Sequence, residues 1–297
     1  ENNQDFTIRD GGLNWYRGPG GDVTIPEGVT VIRGYAFKNK KVTSVTIPES
    51  VTIIAANAFY WCTNLTSVTI PKSVTIIGES AFCWCTNLTS VTIPEGVKEI
   101  GDGTFENCKN LQSVIIPEGI TKIGRGAFED CASLQSVIIP ESVKKIGRDV
   151  FRGCCPVLIA PHISIYSFAA ANRPGACAGF AKAYLDGREI DEEIKAGYLK
   201  YIEGQRKRLY PLAIQHEELL QVMLAEKMLG RKDIDPLLEE SDKQNNISAK
   251  AAVLDYAGRN LKPVDPLKEF NSERTVKQKP LDVPPWAIKL VLQRDEI

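Results

Sequence analysis

Residues 62–84 read C-T-N-L-T-S-V-T-I-P-K-S-V-T-I-I-G-E-S-A-F-C-W, and Cys85 opens the same phrase again. Leu65, Val68 and Ile70 alternate with Ser67 and Thr69, which sends the apolar side chains to one face and the hydroxyls to the other. Pro71 ends this strand, because proline cannot donate to a ladder bond. Val74 and Ile77 begin a second short extended segment and Gly78 offers a bend. Ala81-Phe82 then drives a ring inward before the next unit starts.

Three columns keep the same step of 23 residues along the chain. They are Pro48, Pro71, Pro94, Pro117, Pro140; Phe59, Phe82, Phe105, Phe128, Phe151; and Cys62, Cys85, Cys108, Cys131, Cys154. A period of this length marks a solenoid, in which each unit buries its apolar face only against its neighbours. The expected fold is a β-rich solenoid of parallel strands, about six coils at the interstrand spacing, followed by an all-α C-terminal domain. The solenoid is assigned to 23–161, with Val157–Ala160 as a seventh strand.

Residues 1–22 read as an N-terminal hairpin cap. Phe6, Ile8, Leu13 and Trp15 alternate around Asp10-Gly11-Gly12, and Trp15 with Tyr16 suits the task of covering an open solenoid end. The repeat decays after Cys155, and beyond Pro161 the period changes to that of a helix, so 162–260 is expected to be helical. The helices are placed over 176–186, 191–208 (capped by Asp191), 216–229, a short one starting at Asp235-Pro236, and one including 248–256. Helix pairs over 212–260 look weakly ankyrin-like. Residues 261–297, rich in proline, read as a linker or tail, with Trp286–Leu292 as a short amphipathic segment.

The repeat resembles the BspA-type leucine-rich repeat, whose unit runs roughly L-x-x-V-x-I-P-x-x-V-x-x-I-G-x-x-A-F-x-x-C. The resemblance covers 23–155 and departs locally at Arg33, Val42 and Ala55. It implies a parallel solenoid, commonly on bacterial surfaces, used for adhesion or protein binding. It brings no catalytic residues with it.

Chemistry-bearing patterns are few. His216 opens H-E-E-L-L and lacks the second histidine of a zinc-protease helix, so it reads as a helix-start residue; His162 reads as a surface turn. Gly101-Asp102-Gly103 and Gly124-Arg125-Gly126 recur inside the coils and read as bend glycines. Asn64-Leu65-Thr66 and Asn87-Leu88-Thr89 match a glycosylation pattern, but Asn in a repeat turn serves local backbone bonding. The cysteine column has parallel Cβ vectors, which favours interior packing over disulfides or a soft-metal ladder. Cys83, off that column, is the candidate reactive thiol, and Cys154-Cys155 would pair only with strain. With a formal net charge of -1, nothing pulls the chain globally toward nucleic acid or an anionic membrane. No apolar run is long enough to span a bilayer. The sequence begins at Glu1 and is expected to be processed or cut from a longer chain.

Two surfaces stand out as binding candidates. One is the outward strand face, with Ser44, Ser67, Ser90, Ser113 and Ser136 beside Thr46, Thr69, Thr92, Ile115 and Ile138. The other is a turn edge, where Tyr60-Trp61 and Trp84 fall one coil apart and offer aromatic anchors. Lys98, Lys122, Lys144, Lys145, Arg125 and Arg148 gather on the back of the last coils among acidic neighbours, and Arg206-Lys207-Arg208 sits near a helix end. The expected function is a non-catalytic module presenting the solenoid to a protein or glycan. No cofactor, metal, nucleic acid or membrane span is expected, and the chain should be a monomer or weak oligomer. The alternative makes the solenoid a rigid spacer and the helical region the interacting part; an enzyme is the third reading. The resemblance points to a cell surface, whereas unpaired column thiols suit a reducing interior.

Overall fold

A computed structural model describes residues 3–154 and 156–261. It opens with a hairpin of β1 (Phe6–Arg9) and β2 (Gly12–Tyr16), turning at Asp10 and Gly11, both in left-handed backbone. Two series of short strands then alternate. They are β3 (Gly21–Thr24), β4 (Val31–Ile32), β5 (Val42–Thr46), β6 (Ile53–Ile54), β7 (Ser67–Thr69), β8 (Ile76–Ile77), β9 (Ser90–Thr92), β10 (Glu99–Ile100), β11 (Ser113–Ile115), β12 (Lys122–Ile123), β13 (Ser136–Ile138), β14 (Lys145–Ile146) and β15 (Val157–Ile159). Odd strands stack on odd and even on even, in parallel, so each coil contributes one rung to each of two sheets. Register follows the repeat: Ser44 pairs with Ser67, Ile53 with Ile76, Ser90 with Ser113, and Lys122 with Lys145. The odd series is interrupted between β7 and β9 and between β11 and β13, and the even series between β8 and β10.

The core is a pile of identical side chains. Phe37, Phe59, Phe82, Phe105, Phe128 and Phe151 stack with ring centroids 4.8–5.7 Å apart. Tyr16 starts the pile on Phe37 at 5.1 Å, and Phe6 tilts against Tyr16 at 5.3 Å. The hairpin therefore covers the first coil through Tyr16; Trp15 is 50% exposed and covers nothing, because alternation along β2 turns it outward. Beside the rings the cysteine column does more than pack. Each thiol donates to a buried phenylalanine carbonyl of the preceding coil: Cys62 to Phe37, Cys85 to Phe59, Cys108 to Phe82, Cys131 to Phe105 and Cys154 to Phe128. Each of these carbonyls already accepts the amide three residues on, as Phe59 does from Cys62 at 3.2 Å, and the thiol of the next coil adds a weak second donor without a bulky polar group.

The glycines of the repeat divide into two kinds. Gly103 and Gly126 have φ near +60° and are true left-handed turn positions. Gly78, Gly101, Gly124 and Gly147 do not; a Cβ on Gly78 would meet the Ala56 nitrogen at 2.4 Å. These four are kept small by the coil beneath, not by a bend.

The helical region comprises α1 (Arg173–Leu185), α2 (Glu192–Gln215), α3 (Glu217–Ala225), α4 (Arg231–Lys243) and α5 (Ile247–Asn260). Helix α1 lies on β15: a Cβ on Gly175 would strike the Pro156 carbonyl at 2.1 Å, and one on Gly179 the Leu158 carbonyl at 2.0 Å. Phe180 stacks on Tyr198 of α2 at 4.4 Å. Asp191 caps α2, accepting from the amides of Glu193 (2.9 Å) and Ile194 (3.1 Å). Four helix limits differ from the sequence reading by three residues or more. Helix α1 starts at Arg173 and not at Ala176, with Pro174 in its first turn. Helix α2 passes through Pro211 to Gln215 because its buried face continues over Leu209, Tyr210, Ala213 and Ile214. Helix α3 stops at Ala225, four residues before the expected Leu229. Helix α4 starts at Arg231, not at Asp235, since Asp233 reaches back to the Gly230 amide at 2.8 Å and closes the first turn. His216 joins α2 to α3 in extended backbone. His162 is no open surface turn: both ring nitrogens are buried, and burial lowers its pKa. The expected tail, with Trp286–Leu292, lies outside the described residues.

Candidate binding surface

The strand face is flat and hydroxyl-rich, as the alternation requires. Ser67, Ser90, Ser113 and Ser136 are exposed, with Thr46, Thr69 and Thr92 in the neighbouring column. Ile115 and Ile138 replace threonine in the later coils and are 62% and 57% exposed. Ser44 does not belong to the open column. It is half-buried, and both it and Thr43 donate to the Asp22 carboxylate at 2.7 Å, which lowers the pKa of Asp22. Threonines at the coil corners also turn back on the backbone, as Thr66 does on the Thr43 carbonyl at 3.0 Å.

The turn edge is more particular. Trp61 and Trp84 stack at 5.5 Å with an interplanar angle of 21°, and Tyr60 meets Trp61 edge-on at 6.1 Å. Lys38 lies 5.0 Å from the Tyr35 ring centroid and 5.9 Å from that of Tyr60. Lys109 stands 5.7 Å from the Trp84 ring. Tyr35, Lys38, Tyr60, Trp61, Trp84 and Lys109 thus form one strip running across successive coils. The residue columns did not disclose Tyr35, Lys38 or Lys109, because the first coil is irregular and the lysines reach Tyr60 and Trp84 from neighbouring coils.

Both tryptophans sit at φ +63°. The same turn position is held in the other coils by Asn39, Asn107, Asp130 and Gly153, also at positive φ. Asn, Asp and Gly visit this region readily; a bulky residue there is strained by about 1–3 kcal/mol. Trp61 nevertheless remains 46% exposed, so burial of its indole does not explain its presence.

Catalytic alternatives find no support in the geometry. Burial, with Glu106 adding, pushes the Cys83 thiol up to about 12, the opposite of an activated nucleophile. All seven described cysteines are free and buried, and no cluster of potential metal ligands occurs among the described residues. Asn87 does not serve its own backbone; its side chain accepts from Asn110 at 3.0 Å. No helix of the described residues is long and apolar enough to cross a membrane.

Six copies of the BspA type leucine rich repeat match residues 23–157. Among solved structures, a leucine rich cell surface protein from Faecalibacterium prausnitzii is 32% identical, with 52% of each chain covered and a TM-score of 0.41. A leucine rich repeat protein of T. pallidum is 26% identical over 57% of this chain and 91% of its own, with a TM-score of 0.44. One from Eubacterium ventriosum is 24% identical over 52% of this chain and 51% of its own, with a TM-score of 0.40. The match thus spans about half the length of the Faecalibacterium protein. Curated proteins returned no match.

Proposed function

We propose that the chain is a non-catalytic binding module whose aromatic turn edge anchors a macromolecular partner. The observation that supports this reading is the tryptophan pair in left-handed backbone. A strained, half-open aromatic at a position that Asn or Gly fills elsewhere is retained for contact, not for folding. The flat Ser/Thr face of the odd strands follows Trp61 and Trp84 in each coil and gives an extended partner a surface to lie along. The flanking lysines suit carboxylates or other acidic groups on that partner.

Arrays of immobilised proteins and glycans probed with the wild-type chain and with a Trp61→Asn/Trp84→Asn double variant test the proposal. Every wild-type signal should fall to background in the variant, whose melting curve should stay in place. Signals that survive the double substitution would remove the turn edge from the function.

A further inference from the structure

A solenoid coil has several sides, and at the end of this one they are finished differently. On the odd sheet, β13 pairs with β15, and α1 covers β15. On the ring-and-thiol side, Asn172 takes the place of a sixth cysteine. Its Nδ2 donates to the Phe151 carbonyl at 2.9 Å and the Cys154 carbonyl at 3.1 Å, continuing the column of thiol donors by one step. On the even sheet, among the described residues, nothing follows β14, which is the last strand of β10-β12-β14.

The missing rung leaves specific groups open. Gly147 donates to the Ile123 carbonyl at 2.8 Å, so Ile123 faces the following coil. Ile146 holds the same place one coil later. Parallel-ladder alternation turns both its N–H and its C=O away from β12, and among the described residues its carbonyl accepts no bond. The turn shows the same vacancy. The amides of Gly126 and Phe128 donate to the next coil, at Arg148 and Val150, whereas those of Asp149 and Phe151 have no such acceptor among the described residues. In front of these groups lies a cavity of about 310 Å³, lined by Ile146, Asp149, Phe151, Tyr166, Phe168 and Asn172.

The charges around this edge select the occupant. Lys144, Lys145 and Arg148 are exposed beside it, and Arg173 lies 5.5 Å from the Tyr166 ring on the opposite wall. Asp149 is the one carboxylate in the lining. Two copies of β14 brought edge to edge would set these cations against one another, which is how sheet edges discourage self-pairing. At the opposite end of the odd series, the edge strand β3 is bracketed by Pro19 and Pro26, and no proline flanks β14.

We infer that β14 accepts an extended acidic peptide from another protein, which adds a strand where a seventh coil would continue the even sheet. Backbone bonds to Ile146 hold the strand, an apolar side chain enters the cavity over Phe151, and carboxylates meet Lys144, Lys145 and Arg148. This site is separate from the tryptophan edge and does not depend on it.

Fluorescence anisotropy on the full chain tests it, with a labelled peptide of about ten residues alternating Glu and Val as the probe. The peptide should bind saturably, while its Lys–Val counterpart and a copy N-methylated at alternate amides should not. Ile146→Pro, which removes an outward amide from an edge where proline is tolerated, should weaken binding about tenfold or more. Lys144→Glu/Lys145→Glu should weaken it as well. Absence of saturable binding, or equal binding of the Lys–Val peptide, would overturn the inference. So would undiminished binding of the N-methylated peptide, which would make the edge a simple polyanion site and does not require any variant to fold.

Discussion

The aromatic residues of the solenoid belong to two populations that behave oppositely on removal. Phe105 is fully buried between Phe82 and Phe128, each 5.5 Å away. Phe105→Ala leaves a cavity in a stack that has no other way to close, and should cost about 3–5 kcal/mol in denaturant unfolding. Trp61→Asn/Trp84→Asn forfeits an aromatic pair worth about 0.5–1.5 kcal/mol. It also relieves left-handed strain of about 1–3 kcal/mol at each of the two positions, less what asparagine itself retains there. The relief offsets the lost contact, so stability in the same assay should fall by no more than about 1 kcal/mol. A loss as large as that of Phe105→Ala would make the tryptophans structural. The 23-residue columns picked out the buried phenylalanines, because burial repeats in every coil. They could not reveal the strain, since a positive φ at Trp61 is legible only once Asn39, Asn107 and Gly153 are seen to share its turn.

Among the elements, α1 illustrates how a helix is tied to a sheet by what it lacks. Gly179→Ala places a methyl against the Leu158 carbonyl, with backbone on both sides, so α1 must lift from β15 and the melting temperature should fall. Gly197 in α2 meets nothing within 4 Å, and Gly197→Ala should instead stabilise by up to about 1 kcal/mol. Equal responses from the two glycines would remove the close packing of α1 as an explanation. A second element-level device is Asp233. Burial alone would raise its pKa, but the Tyr210 hydroxyl, the Gly230 amide and Arg206 together hold it below the ordinary value of 3.8. A lowered folded pKa means its contribution is fully present above the unfolded value and is lost as pH falls through the folded one. Stability should therefore decline in acid below about pH 4, and Asp233→Asn should flatten that part of the profile; an unchanged profile would exclude this carboxylate as the cause. The helical region was readable in its number of helices and its Asp191 cap. Its limits were not, because Pro211 and Pro236 look like boundaries locally, while buried side chains on either side carry each helix past the single amide it loses.

At the scale of the whole molecule, the repeat dictated how coils stack but left the ends unspecified. The hairpin engages the coil array through Tyr16 on Phe37 and β2 on β4, and Asn172 engages it through Phe151 and Cys154. Neither terminator touches the coils between. Length is therefore a free variable of this design. Duplicating residues 85–107, from one cysteine to the residue before the next, should give a protein that still folds and is longer by one rung, about 4.8 Å. Small-angle scattering of the enlarged chain would register the increment, and an aggregate or an unchanged dimension would contradict it. By the same logic, unequal crossing-over between near-identical repeats yields a graded set of reaches with both stoppers intact, so spacing between whatever the two ends hold can evolve in whole steps without redesigning either.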